Sequence, residues 1–370
     1  MIYLDNNATT FLDPLVADFI KNHIDLILGN ASSMHQSGQK ARQILVDARS
    51  RIARLLNVTS EELCFTSSAT EAINLLLNPK KKPAHIISSS LEHTATLAAL
   101  RRLEGRGSKV SYLKPEKGRG SIAPDQIVAE LREETGLIVI MGANNETGVR
   151  SDIEDIALLA QKRSIPLIVD GVALFGKEPF SLPIGVTGFC VSGHKMHGPK
   201  GLSLAVIRKG YHVEPLIVGG PQQFMRRGGT EDVVAIAAFA KVIEIAIEQA
   251  SEFQERISLL RNWFEASLKE CFPNIRIHGE NERRVANVSN VSFIGKDAES
   301  LLIKLDLAGI AASHGSACSS GALEPSHVLM HMGLASEEIR SAVRFSLSRF
   351  TTKEEITKVL SLLVSLMSTI

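Results

Sequence analysis

The chain has 370 residues, 44% hydrophobic and 22% charged, a balance that suits a globular protein with one large domain and a smaller one. Its 41 basic side chains nearly match 40 acidic ones, a formal net charge of +1, so no long-range field is expected to gather nucleic acid or an anionic membrane. No apolar run approaches a membrane span, and the opening MIYLDNNATT has neither the basic nor the apolar region of a secretory signal. The four cysteines, Cys64, Cys190, Cys271 and Cys318, form no CxxC pattern, which fits reduced thiols and a cytoplasmic location. Cys64, Cys190 and Cys271 lie in apolar or mixed settings and read as packing residues.

Taken along the chain, short apolar runs rich in Val, Ile and Leu recur at residues 63–65, 84–88, 110–113, 137–141, 166–169, 189–192 and 202–207. Each is short enough to be a strand buried on both faces. Amphipathic stretches of helical length lie between several of them, at about 93–103 and at 151–163. The second opens with Ser151-x-x-Glu154, the pattern of a capping box. Alternating strands and helices predict an α/β fold with a mostly parallel sheet covered on both sides. The composition changes near Thr230; a helical stretch over 233–268, broken somewhere within, leads to strand candidates at 275–278 and 286–294. A last helix follows Thr352-x-x-Glu355, with Ile356, Val359, Leu360, Leu363 and Met367 on one face. The expected division is a large α/β domain over 12–250 and a small α+β domain over 251–370, with residues 1–11 packing against the latter.

Open α/β sheets place their sites at the carboxyl ends of strands, and several polar clusters fall there. Thr66-Ser67-Ser68-Ala69-Thr70-Glu71 opens a helix; its residue types suit either a bound phosphate or a plain N-cap. Asp170 ends one apolar run, where a carboxylate can pair with a protonated ring nitrogen or simply serve a turn. Ser192-Gly193-His194-Lys195 ends the next. A lysine in a dry site has a lowered pKa and can form a Schiff base; the alternative is a surface lysine in a Gly-Pro loop. The stretch from Gly171 to Gly176-Lys177 resembles a phosphate-binding loop, but Glu178 stands where Ser or Thr would hold magnesium and Pro179 opposes the long helix such a loop needs. His194/His197 and His327/His331 have helical-neighbour spacing but no third ligand, so no metal is expected. Cys318 lies in the small, polar, Gly-rich stretch His314-Gly315-Ser316-Ala317-Cys318-Ser319-Ser320-Gly321, which reads as a loop carrying a nucleophilic thiol rather than a packing residue.

Together these clusters resemble the NifS/IscS-type cysteine desulfurases of the class V aminotransferase group, enzymes dependent on pyridoxal 5'-phosphate (PLP). The resemblance runs from Ile2-Tyr3-Leu4-Asp5-Asn6-Asn7-Ala8-Thr9-Thr10 to Arg344-Phe345-Ser346-Leu347-Ser348-Arg349-Phe350. Its most specific pieces are the SGHK motif at Lys195, Asn144-Asn145-Glu146-Thr147-Gly148, and GSACSS around Cys318 followed by Leu323-Glu324-Pro325-Ser326. It implies the fold of the aspartate aminotransferase-like PLP-dependent transferases (fold type I). It further implies that Lys195 carries the cofactor and moves the substrate Cα proton, that Asp170 pairs with the ring nitrogen, and that His93 stacks on the ring and serves as acid or base. Ala69, Thr70, Ser192 and His194 would hold the phosphate, with Thr230 reaching it from the other subunit of a homodimer. Asn145 would lie near the cofactor's phenolic oxygen and the substrate, and Arg344 would clamp the carboxylate of L-cysteine. Cys318 would take the sulfur as a persulfide, releasing L-alanine, and hand it to a protein acceptor such as an iron–sulfur scaffold or a tRNA-thiolation relay. No direct nucleic-acid or membrane contact is implied.

The chain departs from the family pattern at several points. Ala173 stands where Gln usually contacts the phenolic oxygen, and Gly171 where Ala is usual. Gly219-Gly220-Pro221-Gln222-Gln223-Phe224-Met225 replaces a more glycine-rich stretch, and Ser348 a common Gly. Two other readings stay open on sequence alone: a selenocysteine lyase or another class V PLP enzyme, and a scaffold homologue with weakened catalysis, which Ala173 favours.

Overall fold

The computed structural model describes residues 1–24, 29–314 and 325–367. A short strand, β1 (Ile2–Tyr3), starts the chain. Seven strands then build the central sheet: β2 (Leu63–Thr66), β3 (His85–Ser89), β4 (Lys109–Leu113), β5 (Thr135–Met141), β6 (Leu167–Asp170), β7 (Gly188–Ser192) and β8 (Ser203–Ile207). Their order is β2-β8-β7-β6-β5-β3-β4. β8 runs antiparallel to both neighbours, and the other six are parallel to one another. The apolar runs become central strands because both faces are covered: β6, β7 and β8 are buried at every residue, whereas the edge strand β4 is only half-buried.

One sheet face packs on the helices Gln36–Leu56, Ile153–Arg163 and Val233–Glu248, through residues such as Ile52, Ile156 and Phe239. The other packs on Ala69–Leu76 and Thr94–Gly105, through Ile73, Leu76 and Leu100. A separate cluster gathers Ile2 and Leu4 with the helices Ala250–Cys271, Ala298–Leu307 and Lys353–Met367. It includes a three-stranded sheet of β9 (Ile275–Ile277), β10 (Val288–Phe293) and β12 (Ala342–Ser346), with β10 in the middle. β1 joins β11 (Ile310–Ala311) in parallel.

Local expectations were met unevenly. The long helical stretch breaks at Gln249, which ends one helix and starts the next. Thr352 and Glu355 form the reciprocal cap, each side chain on the other's N–H. Ser151 and Glu154 do not: Asp152 is the N-cap, the Ser151 hydroxyl donates to the Met141 carbonyl, and Glu154 faces Arg150 at 3.6 Å. The helix begins one residue later than the Ser151 pattern requires, so the cap position falls on Asp152. Cys64 and Cys190 are buried, as packing residues should be, but Cys271 is exposed. It ends its helix, and Phe272 turns in instead, edge-on to Phe293. The apparent phosphate loop is a tight turn between β6 and β7 with no helix after it.

Candidate active site

Five strand ends on the carboxyl edge of the sheet deliver side chains to one cavity of about 210 Å³. After β2, the Ser68 hydroxyl accepts the Glu71 N–H at 3.1 Å and starts the helix that presents Ala69 and Thr70. The first N–H groups of such a helix have no intrahelical acceptor, and its dipole favours an anion there. After β3, His93 caps the next helix: its Nδ1 accepts the Ala95 N–H at 3.1 Å, which leaves the proton of the neutral ring on Nε2. After β5, the Asn144 side chain accepts the N–H groups of Glu146 and Thr147 at 2.9 and 3.1 Å, and Gly148 turns at a φ of 77°. That turn sets Asn145 in the cavity wall.

Asp170 is the last residue of β6, and its Oδ1 accepts the Val172 N–H at 3.0 Å. The residue after it lies against an aromatic ring: a Cβ on Gly171 would stand 2.1 Å from Phe189. Glycine in place of the usual alanine follows from that contact. β7 runs into the single turn Gly193–Lys195, where His194 and Lys195 enter the cavity. The Lys195 Nζ donates to the main-chain carbonyls of Asn7 and, at 2.9 Å, Ala8. Burial, then the neighbouring Lys195 and Lys200 charges, lowers His194 to about 4, so its ring is neutral near pH 7. Arg344, on β12, is buried; it donates to Asp5 at 2.8 Å and to the Asn145 carbonyl at 3.0 Å.

Lys195, Asp170, His93, Ala69, Thr70, Asn145, His194 and Arg344 thus line one cavity. Ser192 is not in its wall: it is buried behind the turn, with the Ser203 hydroxyl donating to it at 2.9 Å. Thr230 is exposed and is not among the residues of this wall. Cys318 lies outside the described residues, but both approaches to its segment are anchored at the wall. Ser313 exchanges main-chain hydrogen bonds with Arg344 at 3.2 and 2.7 Å, and Ser326 donates to the Glu146 carboxylate at 2.5 Å.

Residue-by-residue reading of the sequence missed Asn7, Ala8, Lys177, Glu146 and His327 as wall residues. It also missed Glu92, fully buried beside the wall. Glu92 Oε1 accepts the Met141 N–H at 2.9 Å while Oε2 has no partner among the described residues. Burial, opposed by that bond and reinforced by Asp170, raises its carboxyl well above the usual range.

The fold and this wall define an α/β enzyme whose site is built around a strand-end lysine. A family model described as aminotransferase class-V matches residues 2–359, and the chain belongs to that family. A cysteine desulfurase of Trichormus azollae is 38% identical over 370 residues, covering 98% of this chain and 92% of its own. A solved NifS-like protein superimposes with a TM-score of 0.92 at 33% identity, over 100% of both chains. A structure of SspA in complex with cysteine gives a TM-score of 0.82 at 29% identity, over 95% of this chain and 100% of that one. Enzymes of this family depend on PLP. Among the described residues no helix is long and apolar enough to cross a membrane.

Proposed function

We propose that the chain is a PLP-dependent cysteine desulfurase, converting L-cysteine to L-alanine and passing the sulfur to a cysteine of its own. The observation that carries this reading is the convergence of Lys195, Asp170 and Arg344 on one cavity to which both approaches of the Cys318 segment are tied. Cys318 is five positions beyond Ser313, a reach of at most about 18 Å from a residue bonded to the wall.

The donor set fits PLP: an amine on Lys195, a carboxylate on Asp170, a helix start at Ala69 and Thr70, and imidazoles on His93 and His194. Lys195 would hold its aldehyde carbon, Asp170 its ring nitrogen, and Ala69, Thr70 and His194 its phosphate. When bound, PLP supplies an electron sink that makes the substrate Cα proton acidic. Arg344 orients the substrate carboxylate. Lys195 takes the Cα proton and returns protons to the carbon skeleton. The Cys318 thiolate attacks the substrate sulfur; an S–S bond forms, the C–S bond breaks, and its electron pair stays with the carbon skeleton, which takes up protons and leaves as alanine. The product on the protein is a Cys318 persulfide.

Residues 12–250 would form the cofactor domain and 251–370 the smaller one. A homodimer is the expected assembly. Leu216, Ile217, Val218, Phe224 and Met225 are exposed near Thr230, an apolar strip that a second copy would cover while bringing Thr230 to its partner's phosphate site. Ser192 would act by supporting the turn. The persulfide would pass, in the cytoplasm, to an iron–sulfur scaffold or a tRNA-thiolation relay. The test is incubation with L-cysteine and a thiol reductant. Equal release of alanine and sulfide, lost in Cys318→Ala, is expected. Release unchanged by that substitution would remove Cys318 from the mechanism.

A further inference from the structure

The lysine of the discarded phosphate loop, Lys177, has no part in the reaction described above. It is nonetheless a wall residue of the cavity and only 3% exposed. Its Nζ donates to the main-chain carbonyl of Lys195 at 2.9 Å and lies 5.4 Å from the centre of the Phe253 ring. The turn that carries it is pressed against its surroundings. Gly176 has a φ of 74°, and a Cβ there would meet Ala246 at 3.0 Å and the Met196 sulfur at 3.4 Å.

We propose that Lys177 is a positioning residue for Lys195: its ammonium fixes, through the Lys195 carbonyl, the turn that carries the reactive amine, and its charge disfavours a second positive charge on that amine. The inference rests on the reading of the cavity as a PLP site.

The charged and titratable neighbours support it. Besides Lys195, Arg349 acts on Lys177 from the segment after β12, and Arg349 is itself paired with Asp13 before the first helix. His197, two residues after Lys195, is lowered to about 3, by burial first and then by Lys177 and Arg349, so it brings no charge. Lys177 itself is lowered to about 7, mainly by burial, then by Arg349 and Lys195. Repulsion between two amines is mutual: whatever Lys195 does to Lys177, Lys177 does to Lys195. The Phe253 ring face offsets part of the cost of a buried ammonium. A lysine that must take up a proton works better when its neutral form is favoured, and a nearby cation achieves this without entering the chemistry.

The test reads the cofactor-loaded protein's visible band, whose pH midpoint reports protonation at the Lys195 nitrogen. Lys177→Met removes the charge and the donor but keeps the stem. Its midpoint should move up by about half a unit to one unit. Lys177→Arg, which carries its charge at every pH and keeps a donor, should leave the midpoint at or below that of the parent. Phe253→Leu removes the ring from beneath the ammonium, lowers its charged fraction, and should move the midpoint in the same direction by less; it serves even where Lys177→Met does not fold. Coloured proteins with midpoints unmoved in Lys177→Met and Phe253→Leu, or an equal shift in Lys177→Arg, overturn the inference and leave the cofactor reading intact. A parent protein that stays colourless with added PLP overturns both.

Discussion

Glu92 makes the sharpest stability prediction, through Glu92→Gln. Its carboxyl is fully buried, accepts one N–H, from Met141, and sits beside Asp170. Because its folded titration point is raised, the group binds a proton more tightly folded than unfolded. Its contribution is whole below the unfolded carboxyl range, about pH 4.3, and declines as pH rises until the folded titration point is passed. Glutamine has the same shape, keeps the Met141 bond through its carbonyl oxygen, and cannot titrate. Its amide donors replace an oxygen that has no partner among the described residues, so near pH 4.5 the variant should be equal to the parent or about 1 kcal/mol less stable. From there the balance should swing toward the variant by about 1.4 kcal/mol per pH unit. Urea unfolding of cofactor-free protein at several pH values between 4.5 and 8 measures this. Stability curves that run parallel over that range would refute the argument, because they would mean that folding does not change the Glu92 titration.

Two further outcomes follow from the geometry of the wall. Gly171→Ala places a Cβ 2.1 Å from the Phe189 ring, so thermal unfolding should show a loss of about 1–3 kcal/mol; an unchanged melting temperature would mean the ring yields freely. Arg344→Lys keeps the charge facing Asp5 but loses the planar fork, so steady-state alanine formation should show KM for L-cysteine raised about tenfold or more, with kcat much less affected. An unchanged KM would remove Arg344 from substrate binding.

The sheet was legible because its strands are buried on both faces, and burial of that kind writes itself as continuous apolar runs: residues 137–141, 166–169 and 202–207 became β5, β6 and β8 with shifts of one or two residues. The strand-end chemistry at Asp170 and Lys195 was legible for the same reason, since the run marks where the strand stops. Contacts between distant segments were not. Nothing local distinguishes Lys177 in a turn from a solvated lysine, or Glu92 before a helix from a surface acid; burial by other elements gives each its role. The Ser151 cap failed by one residue of register, since the helix takes Asp152 as its N-cap and the Ser151 hydroxyl bonds the Met141 carbonyl ten residues away. Gly171 is the opposite case: an apparent departure from the family pattern becomes a packing requirement once Phe189 is in place.

Residues 5–8 show how the two apolar clusters come to serve one site. Leu4 is packed in the cluster that contains β12, while Asn7 and Ala8 stand in the cavity wall. Between them Asp5 holds Arg344, and the Asn7 side chain donates to the Asn145 carbonyl while accepting from Asn287, both at 2.9 Å. The same segment offers its Asn7 and Ala8 carbonyls to the Lys195 amine. A lysine that holds a cofactor, gives it up to an incoming amine and then handles protons needs an acceptor while it is released, or its ammonium would be left in a buried wall without a partner. Main-chain carbonyls suit that role because they accept a proton donor without carrying a charge, so they do not favour the ammonium as a carboxylate would. The strip that ties Arg344 in place therefore also gives Lys195 a resting position, and substrate clamp and proton carrier are set by one short piece of chain.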